Sequence, residues 1–220
     1  MSKEFIKKEW IFWVILAIPF IYAAFVWNSL PDKIPIHWDA KGEPNGYGSK
    51  LFGGLLVPGI GIALYLLLLV LPKIDPRKKN YESFAGTYRN IRLALSLFMM
   101  IFYFFSIQTA LGNASPKWIN VVGFTFLAFL GNYMRTVRPN WFIGIRTPWT
   151  LESPEVWKRT HDIGGKLFFY SGVIGIIFTL IAGSEYGWIP FTVLMASAAF
   201  TVVYSFVIYK KLEKETNQIQ

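Results

Sequence analysis

Two histidines and the charged groups near them are the residues of this chain best suited to chemistry. In "IPIHWDAKGEPNGY", His37 stands near Asp32, Asp39 and Glu43, a set that could touch a divalent cation. Zinc and copper centres draw on several His or Cys ligands. The chain has no cysteine, and its other histidine lies far along the sequence. Neither a metal site nor any other cofactor is therefore expected, and disulfide and thiol chemistry are excluded. In "NWFIGIRTPWTLESPEVWKRTHDIGGK" (Asn140–Lys166), His161 could serve as a base, Glu152 or Asp162 as an acid, and Arg146 as a clamp on an anionic headgroup. No nucleophile motif or paired-carboxylate spacing accompanies them. The reading is a non-enzyme; a membrane enzyme acting on lipid headgroups at this loop is the lesser alternative.

These residues sit between stretches that are almost wholly apolar. Of 220 residues 54% are hydrophobic and 16% charged, less charge than a soluble domain of this length carries. About twenty apolar residues cross the hydrocarbon core as a helix. Six runs approach that length: Trp10–Leu30, Leu51–Leu71, Leu93–Leu111, Trp118–Met134, Leu167–Ala182 and Trp188–Tyr209. They are continuous rather than alternating, which excludes membrane strands. The fourth and fifth are short, so they borrow flanking residues or sit where the bilayer thins. The first follows Lys7 and Lys8 as a signal peptide would, but it is long and lacks a small-residue cleavage site, so it reads as a retained anchor.

The expectation is an all-α integral membrane protein of one domain, 1–220, with six transmembrane helices. Residues 10–72 hold spans one and two with the loop between them, 92–135 spans three and four, 136–166 a cytoplasmic loop, and 167–210 spans five and six. Orientation follows from the basic residues, which favour the cytoplasm. Of 22 Lys and Arg, only Lys33, Lys41, Lys50 and Lys117 fall on the other side. Both termini and the Asn140–Lys166 segment should be cytoplasmic, and the His37 loop should face out. The charge of +9 is then a topology signal, with contact to anionic membrane lipids as a by-product, and no nucleic-acid partner is expected.

"GNASPK" and "GSEYG" are tight connections between antiparallel neighbours. Ser115 and Pro116 suit an N-cap and first helical position for span four. No ionisable residue falls in the middle of a span, which argues against pumps and ion-coupled carriers. Gln108, Asn120 and Asn132 read as interhelical hydrogen-bonding groups, and Ser171 with Gly175 as a small-residue packing signal. Pro19 in span one and Gly53, Gly54, Pro58, Gly59 and Gly61 in span two suit either a kinked, closely packed pair or a gated pathway helix. The second option keeps a small-molecule or lipid transporter, or flippase, as an alternative function.

In the outer loop, Pro31 and Pro35 forbid helix and "EPNGYG" signals a turn. In the inner one, "GIRTPWT" should be extended, because Pro148 disfavours helix at Thr147. There Arg146 can make bidentate contacts or stack on Trp149. Ser153-Pro154-Glu155 then opens a short amphipathic helix carrying Trp157, Thr160, His161 and Gly164 on one face, leading through Gly164-Gly165 into span five.

"IGIRTPWTLESPEVWKRTHDIGGK" closely resembles the signature loop of the SdpI-like bacterial immunity proteins, and "IPIHWDAKGEPNGY" resembles a segment near their N-terminus. Together the two matches cover about 40 residues, in the expected order within a six-span chain. The resemblance implies a multi-pass cell-membrane protein that protects its producer from a secreted, membrane-active peptide toxin. It also implies a possible second role in signalling, by holding a cytoplasmic repressor at the membrane. Carried over position by position, it marks Pro35, His37 and Trp38 outside. Inside it marks Gly144, Arg146, Thr147, Pro148, Trp149, Trp157 and Gly165, with His161 added for its chemistry.

Overall fold

The computed structural model describes residues 3–182 and 186–218, with side chains from Glu9 on. The side chains of Lys3, Lys7 and Lys8, and the first three residues of the "GSEYG" connection, lie outside the described residues. The helices are α1 (Lys3–Val26), α2 (Val57–Ile74), α3 (Asn80–Ser83), α4 (Ala85–Ala110), α5 (Lys117–Met134), α6 (Pro148–Glu152), α7 (Pro154–Ala182) and α8 (Trp188–Asn217). Between α1 and α2 come a 3₁₀ turn, Trp27–Ser29, and a two-stranded antiparallel hairpin of β1 (Lys33–Trp38) and β2 (Pro44–Ser49).

Among the described residues, five helices are long and apolar enough to cross a membrane: Glu9–Ser29, Phe52–Ile74, Ala85–Ala110, Pro154–Ala182 and Trp188–Asn217. Their outward faces carry large apolar side chains such as Phe25, 84% exposed, and Ile181, 81% exposed, which only a lipid surround satisfies. The sequence predicts a sixth span at Trp118–Met134. That stretch is α5, 18 residues long, with Lys117, Asn120 and Asn132 diluting its apolar character. It lies antiparallel against α7. A Cβ at Gly131 would strike the α7 backbone at Phe169. One at Gly172 would sit 2.6 Å from the Ala128 nitrogen, and one at Gly175 would enter the Phe124 ring. Small residues allow two backbones to approach this closely. The Ser171–Gly175 signal thus marks the right helix: Gly172 and Gly175 meet α5, while Ser171 hydrogen-bonds Ser197 of α8 at 3.0 Å.

The N-terminal half packs as α1, α2 and α4 beneath the hairpin. Gly53 and Gly54 lie in a π-helical turn, Phe52–Leu56, that continues into α2. Cβ atoms there would fall 2.6 Å from Ile34 and 2.9 Å from Trp27. Their smallness thus serves packing against β1 and the end of α1, and the helix pair reads as closely packed. Gln108 donates to the Tyr22 hydroxyl at 2.6 Å, joining α4 to α1, and Asn120 reaches the Ala40 carbonyl at 3.5 Å. Asn132 is exposed.

Several local expectations are corrected. The hairpin turn falls at Asp39–Glu43, not in "EPNGYG": the Asp39 carboxylate accepts from the Lys41 and Glu43 amides at 2.8 and 2.9 Å, and Gly42 has φ +82°. Pro44–Ser49 is strand, and Gly46 is needed because a Cβ would come within 2.9 Å of the His37 Cβ. For α5, Pro116 is the N-cap and no side chain caps it. Pro148 starts α6 instead of prolonging an extended segment, because Thr147 and Thr150 form a reciprocal cap. Finally, the expected short amphipathic helix is the first turns of α7, unbroken through Gly164 and Gly165. Those glycines are packing sites: Cβ atoms would meet the Ile145 side chain at Gly164 and, 2.8 Å away, the Gly131 carbonyl at Gly165.

Candidate functional site

The two motifs lie at opposite ends of the helices. At the hairpin end, Pro35 is buried and its carbonyl accepts from the Ser106 hydroxyl of α4 at 2.6 Å. Trp38 packs edge-on against Phe102, with ring centroids 5.2 Å apart, and its indole N–H is buried without an acceptor. His37 is exposed and its Nδ1 lies 2.6 Å from the Asn45 Oδ1. Nδ1 therefore carries the proton and Nε2 keeps a free lone pair. Asp32, Asp39 and Glu43 do not gather around it, and no group of three metal-ligating side chains occurs among the described residues.

At the other end the inner motif closes on itself. Gly144 has φ +115°, and a Cβ there would collide with the His161 Nε2. That nitrogen accepts from the Ile145 amide at 3.0 Å, while Nδ1 lies 2.9 Å from the Trp157 carbonyl. One neutral tautomer satisfies both bonds. Both ring nitrogens are thus engaged, His161 is 1% exposed, and it has no lone pair left for base catalysis. Trp157 stacks on this imidazole at 4.0 Å and donates its indole N–H to the Val137 carbonyl at 2.9 Å. Thr147 lies 3.0 Å from the Ser205 hydroxyl, and Trp149 packs on Phe206, which ties the loop to α8. Arg146 does not stack on Trp149. Its guanidinium donates to the Trp141 carbonyl at 2.7 Å and stays exposed, as does Pro148.

Two residues that the sequence did not single out hold this loop in place. Asn140 is fully buried. Its Oδ1 accepts from the Phe142 and Ile143 amides at 2.9 and 2.6 Å, and its Nδ2 donates to the Arg138 and Ile143 carbonyls at 2.9 Å. Asp75, 2% exposed, comes from the segment after α2. It accepts from the Trp141 amide, the Tyr81 hydroxyl and the Arg77 amide at 2.9, 2.9 and 2.7 Å. Burial, and then the carboxylate beside it, push the Tyr81 hydroxyl well above the ordinary phenol range, so it stays a donor. The only hint in the sequence is an Asp directly before a proline, between a span and a basic run.

The SdpI/YfhL protein family matches residues 136–205, which begin at this loop and run through α7 into α8. A domain of unknown function, DUF1648, matches residues 14–62, which carry the hairpin. The immunity protein SdpI of Bacillus subtilis (strain 168) is 26% identical over 213 residues, covering 94% of this chain and 98% of that protein. No solved structure matches the chain. Long apolar helices joined by a hairpin at one end and a self-locked loop at the other define a multi-pass protein of the cell membrane. Within that class, the chain is similar to the SdpI/YfhL family over residues 136–205 and to one immunity protein along nearly its whole length.

Proposed function

We propose that this chain is an immunity protein, protecting the cell that makes it from a secreted, membrane-active peptide toxin. The observation that carries the reading is the match to an immunity protein along nearly the whole of both chains. The topology that goes with it has six crossings, both termini inside. The sixth is supported by α5, which approaches α7 closely at Gly131, Gly172 and Gly175. Eighteen residues rise about 27 Å, short of the usual core by an amount that local thinning absorbs. The toxin then meets the hairpin side, and the locked loop faces the cytoplasm among most of the basic residues. There its buried members keep the shape, while exposed Arg146 is free to meet a cytoplasmic repressor and the surrounding cations meet anionic lipid headgroups.

The test is expression in Bacillus subtilis cells that lack SdpI, challenged with the toxic peptide to which that loss sensitises them. Survival at peptide concentrations that kill the empty-vector strain is expected. Arg146→Ala should reach the same membrane level and still protect, while losing any recruitment of repressor measured by cell fractionation. Death at the empty-vector concentration, with the protein abundant in the membrane, would remove the immunity reading.

A further inference from the structure

A hollow of about 590 Å³ between α4 and α5 is lined almost entirely by apolar groups. Its polar pair, Asn90 and the Tyr133 hydroxyl, is already joined at 3.2 Å. It offers an incoming peptide nothing that lipid tails would not also use. A smaller cavity of about 290 Å³ differs. The hairpin caps it, and its walls come from β1, α4, α5 and α8. Polar groups with unused capacity gather at the hairpin end. His37 has a free Nε2 lone pair, and Asn120 commits only its amide nitrogen, to a long 3.5 Å contact. Away from the hairpin the walls are Phe98, Phe124, Leu127 and Leu194.

We propose, resting on the immunity reading, that this cavity is the toxin-binding site and seats an apolar stretch of the peptide with part of its main chain. An acyl chain could fill the hydrocarbon end but has no N–H to give, and a lipid ester brings acceptors only. Two side-chain acceptors at one end of an apolar pocket suit the N–H groups of a peptide backbone. The volume accommodates one or two large apolar side chains, so the peptide is gripped locally rather than enclosed. Seating it there holds the toxin against the protein and keeps it from the lipid it would disrupt.

Gly123 makes this testable. It lines the cavity, and a Cβ built there meets nothing within 4 Å. Gly123→Leu therefore adds apolar bulk to the cavity from an unobstructed Cβ and removes a helix-weakening residue. Gly59 is equally open but lies in α2, outside the cavity. Gly123→Leu should cut protection against the peptide at least tenfold at unchanged membrane level and melting midpoint, while Gly59→Leu protects like the wild type. Benzoylphenylalanine in place of Phe191, at the cavity wall, should photo-crosslink to radiolabelled peptide. The same group in place of Phe200, farther along α8, should not, and Gly123→Leu should abolish the Phe191 product. Full protection by Gly123→Leu, or crosslinking of position 191 to lipid alone, overturns the site while leaving immunity intact. Failure of the wild type to protect overturns the immunity reading, and this site with it.

Discussion

Asn140 is the residue on which the cytoplasmic loop turns, because one amide satisfies four backbone groups that the loop cannot pair by itself. Asn140→Asp keeps the shape and both amide-to-oxygen bonds, but it sets an oxygen 2.9 Å from each of two carbonyls. Losing two donors to buried acceptors should cost about 2–4 kcal/mol, read as a lower melting midpoint in mild detergent. An unchanged midpoint would mean that the amide is not the keystone. The same reasoning explains what could be read beforehand. Trp157, Arg146 and Gly144 stand out in sequence because the segment that carries them resembles the signature loop of a known family. Asn140 and Asp75 do not, since an ordinary polar residue beside a span looks solvated until a fold closes over it. His161 was legible as important and illegible in role: only the positions of the Ile145 amide and the Trp157 carbonyl decide between base and brace.

At the scale of elements, the N-terminal bundle is held by an ion pair that the apolar runs concealed. The third span begins at Ala85 rather than Leu93, so Arg92 lies two turns inside α4. It makes a two-pronged contact with Glu9 of α1, at 2.9 Å to each carboxylate oxygen, and the Tyr65 hydroxyl of α2 donates to the same carboxylate at 2.6 Å. Both charged side chains are less than one tenth exposed. Phe12, Tyr65 and Tyr88 surround the guanidinium at 5.0 to 5.9 Å. Breaking such a pair from one side leaves a buried charge and should cost about 3–5 kcal/mol, whereas replacing both partners with apolar groups is often neutral. Glu9→Leu alone should therefore lower the melting midpoint sharply, and Glu9→Leu with Arg92→Met should recover most of the loss. If the double variant falls by the sum of the singles, the pair is not coupled. Span-end charges are read from sequence as topology signals, so a cation that turns inward to find a carboxylate is counted with those that face water. The α5–α7 contact was half legible for a similar reason. Small residues at helical spacing mark a close approach, yet Ser171, Gly172 and Gly175 look alike until two partner helices divide them.

For the whole molecule, topology turns on α5, which is short and diluted by Lys117, Asn120 and Asn132. The chain carries no cysteine, so single cysteines report their compartment without background. Lys41 at the hairpin turn, Asn113 between α4 and α5, and Glu152 at the end of α6 are all exposed. If α5 crosses, a membrane-impermeant maleimide added to intact cells should label Lys41→Cys and Asn113→Cys, and should reach Glu152→Cys only after permeabilisation. If α5 lies on the surface, Asn113 and Glu152 share a side and label together. The first pattern is expected on two grounds. α7 is long and apolar enough to cross, and α5 meets it, with the two helix backbones nearly touching, from Phe124 through Gly131. A helix held against a crossing helix over that length sits at the same depth. Joint labelling of positions 113 and 152 would put the locked loop on the same side as the hairpin, against what the basic residues predict, and the repressor surface would lose its assigned face.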